Sequence, residues 1–183
     1  MRGELTKVAL NKTEVIGRHS SSDFLSQEYM KSLSLDLLDD ECVNSAKVMA
    51  TVYTAIAAFE NMVRKFVVKI LLEHKGESWW WQCVSEKIRR SAENRKKDEE
   101  KIKWHSHRGE LMINYVNFGD LASIMAQNYE LFEDYIVSID WSKQIFSTLE
   151  RSRNVIMHSG ELGRRDIERI GTNIRDWISQ VGV

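Results

Sequence analysis

Residues 42–74 read CVNSAKVMATVYTAIAAFENMVRKFVVKILLEH, a stretch without proline or glycine. Its apolar residues recur every three or four positions, the spacing that places them on one side of an α-helix. Gly76 lies just beyond, where a glycine commonly ends a helix. We therefore predict a long central helix whose apolar side forms the core of the fold. This stripe comprises Val48, Val52, Ile56, Phe59, Val63, Phe66, Val67 and Ile70.

The rest of the chain has the same helical periodicity. Proline is absent, and no stretch alternates apolar and polar residues as a half-buried strand does. We predict an all-α fold, a compact helical bundle at residues 21–183 that forms one domain, preceded by a flexible arm at residues 1–20. Besides the central helix, the predicted helices span residues 21–40, 79–103, a segment capped by Asp120, 141–158 and 165–181. The predicted apolar face of the first comprises Phe24, Leu25, Tyr29, Leu33 and Leu37 or Leu38.

The composition limits the classes of function. No run of about 18 apolar residues occurs and the first residues lack an apolar signal core, so we expect a soluble, cytoplasmic protein without membrane contact. Cys42 and Cys83 are too few for a disulfide framework and form no zinc pattern, so we predict no metal and no cofactor. The formal net charge is −1, unlike that of a protein that coats nucleic acid. Any RNA contact must come from a local cleft.

The segment RSRNVIMH at residues 151–158 contains charges that packing alone does not explain. At about 100° per residue, Arg153 falls on the apolar side of its helix together with Ile145, Leu149 and Ile156. A guanidinium is always charged and is rarely buried without an anionic partner. Arg153 therefore implies a carboxylate, a phosphate or a water-lined cleft nearby.

A polar ridge is predicted beside that apolar side, because Glu150, Asn154 and His158 follow each other at four-residue spacing. Arg153 and His158 diverge by about 140° on an ideal helix. Either the helix ends between them, or the site gathers groups from more than one surface, such as two subunits about a two-fold axis. A purely structural interpretation also stays open, because cations favour helix C-termini and residues 159–160 resemble a C-cap.

An arginine, followed directly by asparagine and after four intervening residues by histidine, is similar to the signature of the HEPN superfamily of small helical nucleases and nucleotide-binding domains. Here these residues are Arg153, Asn154 and His158. The order of the upstream segments resembles the Swt-type branch, and the resemblance covers roughly residues 45–180. Those segments are Phe59-Glu60 with Arg64, Gly76 to Trp80, the basic helix, Phe118 to Leu121, and Asn128 to Phe132.

The resemblance implies a homodimer in which two motif helices meet and line a shared cleft. It also implies a metal-independent endoribonuclease, since the 2′-OH of RNA supplies the nucleophile. In that role the catalytic residues would be Arg153, Asn154 and His158. The guanidinium would bind the phosphate, the amide would orient the phosphate or the imidazole, and the imidazole would transfer protons. The expected products are a 2′,3′-cyclic phosphate and a 5′-OH.

Three further residues are predicted to support the site. Glu60 and Arg64 are spaced for an ion pair within the long helix, and Glu60 is the candidate partner that holds Arg153 in place. Asp120 is the third, although a role as a helix cap alone also explains it.

The basic helix offers candidates for RNA binding. Between Glu86 and Lys103, eight basic residues accompany five acidic ones. Such a run usually marks a solvated helix face. The alternative is a contact with the RNA backbone, since lysine and arginine neutralise phosphates. The residues predicted for that contact are Arg89, Arg90, Lys96 and Lys97.

The biological role implied by the resemblance is that of a toxin or defence effector, with RNA as substrate and an antitoxin or defence-system protein as partner. One alternative is a catalytically silent HEPN module for dimerisation or for binding nucleotides or partners. A second is a helical scaffold whose motif is accidental. In another HEPN branch, toxins modified by a nucleotidyltransferase carry tyrosine two residues after the motif histidine. Gly160 stands there in this chain, which argues against AMP transfer.

Overall fold

The computed structural model describes residues 27–182, which divide into two compact units, residues 27–48 and residues 49–182. Every regular element among these residues is helical, which confirms the predicted all-α fold. The predicted arm at residues 1–20 lies outside them. No described helix is both long enough and apolar enough to cross a bilayer. The α-helices are α1 (Asp40–Lys75), α2 (Trp79–Cys83), α3 (Glu86–Glu100), α4 (Phe118–Gln127), α5 (Ile139–Met157) and α6 (Arg164–Val181).

The first unit departs from the prediction of a helix that continues to about residue 40. Residues 27–32 are helical, but Ser34 adopts a left-handed conformation with φ 52°, and Leu35–Leu37 form a short 3-10 helix. The predicted apolar face is not buried, because its described members are all more than half exposed. Those members are Tyr29, Leu33, Leu37 and Leu38, whereas Phe24 and Leu25 lie outside the described residues.

Asp39 starts the long helix. Its carboxylate accepts hydrogen bonds of 3.0 Å from the backbone N–H groups of Glu41 and Cys42, which satisfy donors that a helix N-terminus leaves unpaired. These bonds, chiefly the backbone one from Cys42, hold the pKa of Asp39 below its usual range. The cap explains why the chain starts a new helix here instead of continuing an earlier one.

Helix α1 is the predicted central helix, 36 residues long. Its stripe from Val52 to Ile70 is buried as expected. Val48 was wrongly included, since it is 56% exposed. The helix ends at Lys75, just before Gly76, whose φ of 61° is the left-handed conformation that glycine adopts without strain.

The predicted single helix over residues 79–103 is wrong, because it is interrupted. Val84 is extended, with φ −108° and ψ 123°, and its side chain is buried in the core. The backbone N–H of Ser85 donates to Oε1 of Gln127 at 3.2 Å, which anchors the break to the end of α4. Tertiary packing, which buries Val84 and anchors Ser85, thus overrides the local helical preference.

Aromatic packing holds α1, α5 and α6 together. Trp177 of α6 is fully buried, with its ring centroid 5.9 Å from that of Phe59, 6.0 Å from Phe66 and 5.0 Å from Phe146. Trp141 stacks on it at 5.5 Å. Because Phe59 and Phe146 also meet at 6.4 Å, α1 and α5 lie against each other. Glu60, the residue after Phe59, therefore lies against α5.

Helix α4 begins at Phe118, not after a cap at Asp120 as predicted. The cap is Asn117, whose side chain accepts the N–H of Asp120 at 2.8 Å, while the Asp120 carboxylate accepts the N–H of Asn117 at 3.1 Å. This reciprocal arrangement is a capping box. Asp120 thus stabilises the helix start from inside its first turn.

Candidate active site

Arg153 lies at the edge of the buried face of α5. Its side chain is 23% exposed, and its Nη1 donates to Oε2 of Glu60 at 3.1 Å. Its Nη2 lies 3.6 Å from Oε1 of Glu150, one turn earlier on the same helix. The anionic partner that a guanidinium on an apolar helix side requires is therefore Glu60, as the sequence predicted.

Glu60 is shared by two arginines. It is the only charged residue that is buried among those described, and its second oxygen accepts a hydrogen bond from Nη2 of Arg64. Arg64 also donates to the backbone carbonyl of Val116 at 3.1 Å. A buried carboxylate is tolerated when cations and donors surround it. Glu60 thus joins α1 to α5, and Arg64 joins α1 to the segment before α4.

Arg153 lines a groove of about 670 Å³, here called the arginine groove. Four arginines and one glutamate line it, a formal excess of three positive charges. The charged residues are Glu60, Arg64, Arg95, Arg108 and Arg153, and the remaining lining residues are Tyr53, Ala57, Asn61, Asn114, Val116, Asn117, Asn154 and Met157. Guanidinium and amide groups that converge on a concave surface are suited to binding phosphates and nucleobases.

Arg95 is a groove residue that the sequence prediction missed. Its Nη1 donates to Oδ2 of Asp120 at 2.9 Å and to the backbone carbonyl of Tyr115 at 2.6 Å. Asp120, predicted as a supporting residue, does not line the groove but holds this arginine. The signal was present, because Arg95 shares a helix side with Ile88 and Ala92, both buried. The criterion that singled out Arg153 would have found it.

Arg108 is the second missed residue. It lies in the segment after α3, where no periodic pattern marks an inward side. Glu99 binds it twice, with Nε 2.6 Å from Oε1 and the backbone N–H donating to Oε2 at 3.1 Å. Only tertiary contacts bring it to the groove.

The four residues predicted to bind RNA do not line the arginine groove. Arg89 packs over Trp81 and donates to its carbonyl at 2.8 Å, and Arg90 pairs with Glu86. Lys96 donates to the carbonyl of Glu110 at 3.4 Å, and Lys97 is exposed. An RNA-binding role for these four side chains stays a prediction, and it would involve a surface outside the arginine groove.

His158 lines a second depression of about 500 Å³, here called the motif hollow. The predicted polar ridge is present, since Glu150, Asn154 and His158 all line it. Its other lining residues are Ser147, Arg151 and Val155. Asn154 lines both the motif hollow and the arginine groove. Arg153 and His158 therefore lie on two sides of this one asparagine.

The end of α5 sets the backbone at His158. The helix ends at Met157, so a helix end between Arg153 and His158, one of the two alternatives that the sequence left open, is present. Ser159 adopts φ 60°, its N–H donates to the carbonyl of Ile156 at 2.9 Å, and the N–H of Gly160 donates to that of Val155 at 2.9 Å. This is the Schellman arrangement of a helix C-terminus. It confirms the expected C-cap.

Gly160 is required at its position by close packing. A Cβ there would lie 2.8 Å from Cγ1 of Val155 and 3.0 Å from its carbonyl oxygen. A tyrosine would not fit without shifting the helix end. This turn thus favours glycine where the nucleotidyltransferase-modified branch has tyrosine.

The motif and almost all residues of the arginine groove lie within the part of the chain that matches a known protein family. Residues 54–182, well over half of the chain, match the family model described as Swt1-like HEPN. The chain belongs to the Swt1-like HEPN family. This confirms the resemblance of the sequence to the Swt-type branch. Of the residues that line the arginine groove, Tyr53 alone lies outside the matched range. No curated protein and no solved structure matches the chain.

The left-handed conformation of Ser159, at the end of α5 in this HEPN domain, can be tested by mutation. Replacing Ser159 with glycine should raise the free energy of unfolding by roughly 0.5–1 kcal/mol, because glycine adopts positive φ without steric cost. Thermal unfolding should show a melting temperature about 2–4 °C higher per kcal/mol. Gly160→Ala is the matched opposite and should lower it. An unchanged melting temperature for both variants would contradict the capping geometry.

Proposed function

We propose that this HEPN domain is a metal-independent endoribonuclease. The observation that carries the proposal is the position of Asn154 between the arginine groove and the motif hollow. Phosphate-binding guanidiniums lie on one side of this residue and an exposed imidazole lies on the other. A strand of RNA that crosses Asn154 would meet both.

The proposed reaction is attack of the ribose 2′-oxygen on the adjacent phosphorus. The O2′–P bond forms, the P–O5′ bond breaks, and a proton moves from the 2′-OH to a base while another reaches O5′. His158 suits proton transfer near neutral pH, and Arg153 suits the negative charge that develops on the phosphoryl oxygens. The products would be a 2′,3′-cyclic phosphate and a 5′-OH.

Arg153 is suited to this role because its carboxylate contacts leave donors available. A guanidinium carries five N–H groups in a planar fork. The contacts with Glu60 and Glu150 orient that fork without covering it, since the side chain keeps 23% of its surface exposed in the groove. The guanidinium is thus already oriented before a phosphate binds, which favours phosphate binding at a fixed angle.

A two-fold dimer belongs to the proposal. HEPN domains commonly dimerise. In one chain Arg153 and His158 line different depressions, and Met157 between them is 63% exposed beside the arginine groove. Two motif helices that meet across a two-fold axis would cover Met157 and combine the depressions of both subunits into one cleft. A proton donor and a proton acceptor would then come from two copies of His158.

The decisive experiment is a cleavage assay with purified protein in excess EDTA. Structured and single-stranded RNAs are incubated with wild type and with His158→Ala, and the ends are tested for a 2′,3′-cyclic phosphate. Sedimentation at tens of micromolar tests the dimer in the same preparation. Cleavage that EDTA abolishes, or that His158→Ala retains in full, would overturn the proposed mechanism.

The planar fork of Arg153 can be tested by Arg153→Lys. Lysine keeps the charge beside Glu60 but binds phosphate with a single ammonium, so cleavage should fall by about 100-fold while the melting temperature changes little. Cleavage rate and thermal unfolding are measured for both proteins. Arg165→Lys, at an exposed position of α6, is the matched control and should cleave as wild type does. Equal rates for Arg153→Lys and wild type would refute the bidentate role.

The second candidate function is a silent module that binds nucleotides or partner proteins. Its specific support is the engagement of Arg153 by two carboxylates within its own chain, which also neutralises the guanidinium. RNA or nucleotide binding without cleavage in the EDTA assay would favour it. Action as a toxin or defence effector restrained by a partner protein belongs to the nuclease proposal alone.

A further inference from the structure

A basic and aromatic loop follows α3 and leads to the arginine groove. Residues 101–109 read KIKWHSHRG, with three lysine or arginine residues, two histidines and no acidic residue. Trp104, in the middle of this loop, is 86% exposed. Tryptophan is strongly buried on average, because its large ring gains most from leaving water. An indole this exposed, in a loop with lysine and arginine and no acidic residue, therefore needs an explanation other than packing.

The loop is closed at its base. Glu99 binds the backbone N–H and the Nε of Arg108, and its carbonyl accepts the N–H of Ile102 at 3.0 Å. The N–H of His105 donates to the carbonyl of Ile102 at 3.1 Å, which adds a turn inside the loop. The backbone of Trp104 lies within about 14 Å of Arg108, which lines the groove, because four residues span no more than that.

The indole of Trp104 is oriented but not covered. The ring of His105 meets it edge-on, with centroids 5.7 Å apart and an interplanar angle of 73°. Trp81, another exposed tryptophan, differs in this respect. The guanidinium carbon of Arg89 lies 4.8 Å from its ring centroid, so one face of that indole is occupied. Trp104 is 86% exposed and so keeps most of its ring surface open to a planar ligand.

We propose that Trp104 is a stacking platform for a base of single-stranded RNA whose backbone runs over Arg108 into the arginine groove. The inference rests on the proposed function and deepens it by naming the substrate class. Bases in a duplex are already stacked, whereas those of a single strand can stack on an aromatic side chain. Lys103 and Arg108 lie on either side of Trp104 in the sequence, and cationic side chains suit phosphates better than an apolar protein surface.

The test uses a fluorescent single-stranded 12-mer with 2′-O-methyl riboses, which lacks the nucleophile and cannot be cleaved by the proposed reaction. Binding is measured by anisotropy for wild type, Trp104→Ala and Trp104→Phe, beside the same sequence as a duplex. Trp104→Ala should weaken single-strand binding about tenfold, within the range for losing one stacked base. Trp104→Phe should keep most of the affinity, and duplex binding should not change. Trp81→Ala is the matched control and should bind as wild type does.

The outcomes separate this inference from the nuclease proposal. If Trp104→Ala binds the 12-mer as tightly as wild type while wild type cleaves RNA, the stacking role is wrong and the nuclease stands. If wild type binds the 12-mer through Trp104 but cleaves nothing, the stacking role stands and the nuclease is wrong. If wild type does not bind the 12-mer, the inference is overturned. That result includes the case in which Trp104 contacts a protein instead of RNA.

Discussion

Replacing His158 with alanine is expected to reduce RNA cleavage by about 10²–10⁴-fold, the range for losing a general acid or base. Folding should be almost unaffected, because His158 is exposed after the last residue of α5 and its cap is made by backbone groups. Cleavage of a labelled RNA in EDTA gives the rate, and circular dichroism gives helix content and melting temperature.

His74→Ala is the control for that variant. His74 is likewise an exposed histidine near a helix C-terminus, in the last turn of α1, but it lines neither depression. It should retain full cleavage and a nearly unchanged melting temperature. If His158→Ala loses helix content together with activity, the histidine is structural and the proton-transfer role loses its support.

Replacing Glu60 with alanine should lower the free energy of unfolding by about 3–5 kcal/mol, the cost of removing one partner from a buried ion pair. The carboxylate is nearly inaccessible and contacts both Arg64 and Arg153, so its loss leaves two guanidiniums close together without their anion. Chemical denaturation measures the change, and the midpoint should fall without a large change in slope. Cleavage should fall as well, because Arg153 loses its orientation.

Glu150→Ala separates this central role from ordinary charge balance. Glu150 also contacts Arg153, at 3.6 Å, but its side chain is 28% exposed, so its loss should cost about 0–1 kcal/mol. Glu60→Gln keeps the shape and removes the charge, and should fall between the two alanine variants. Equal stability of Glu60→Ala and Glu150→Ala would show that Glu60 is not the shared anion of the site.

The sequence was most informative where the prediction depended on the residues along one side of a single helix. The stripe of α1 from Val52 to Ile70 is set by apolar side chains at helical spacing, and burial follows from that spacing. Arg153 was predictable for the complementary reason, since a permanent charge on an apolar side requires an anion. Glu60 supplied that anion in the structure.

The prediction failed where contacts distant in sequence decide the local conformation. Spacing alone could not show that Val84 leaves the helical path to enter the core, or that the apolar side of residues 27–38 remains exposed. It also favoured Arg89 and Arg90 over Arg95. All three are arginines of one charged helix, and Arg95 alone shares a helix side with the buried Ile88 and Ala92. The contacts with Tyr115 and Asp120, which only the tertiary structure supplies, then hold it in the groove.

The sequence by itself determined an all-α fold built on one long helix, the Arg-Asn and His motif near a helix end, and the need of Arg153 for an acid. Each follows from spacing within a single helix, where geometry is known before folding. The tertiary structure alone decided that Arg95 and Arg108 join Arg64 and Arg153 in one groove. It also decided that Asn154 separates this groove from His158. Such assembly depends on how α1, α3 and α5 pack, and no periodicity within one helix encodes the angle or the register between helices.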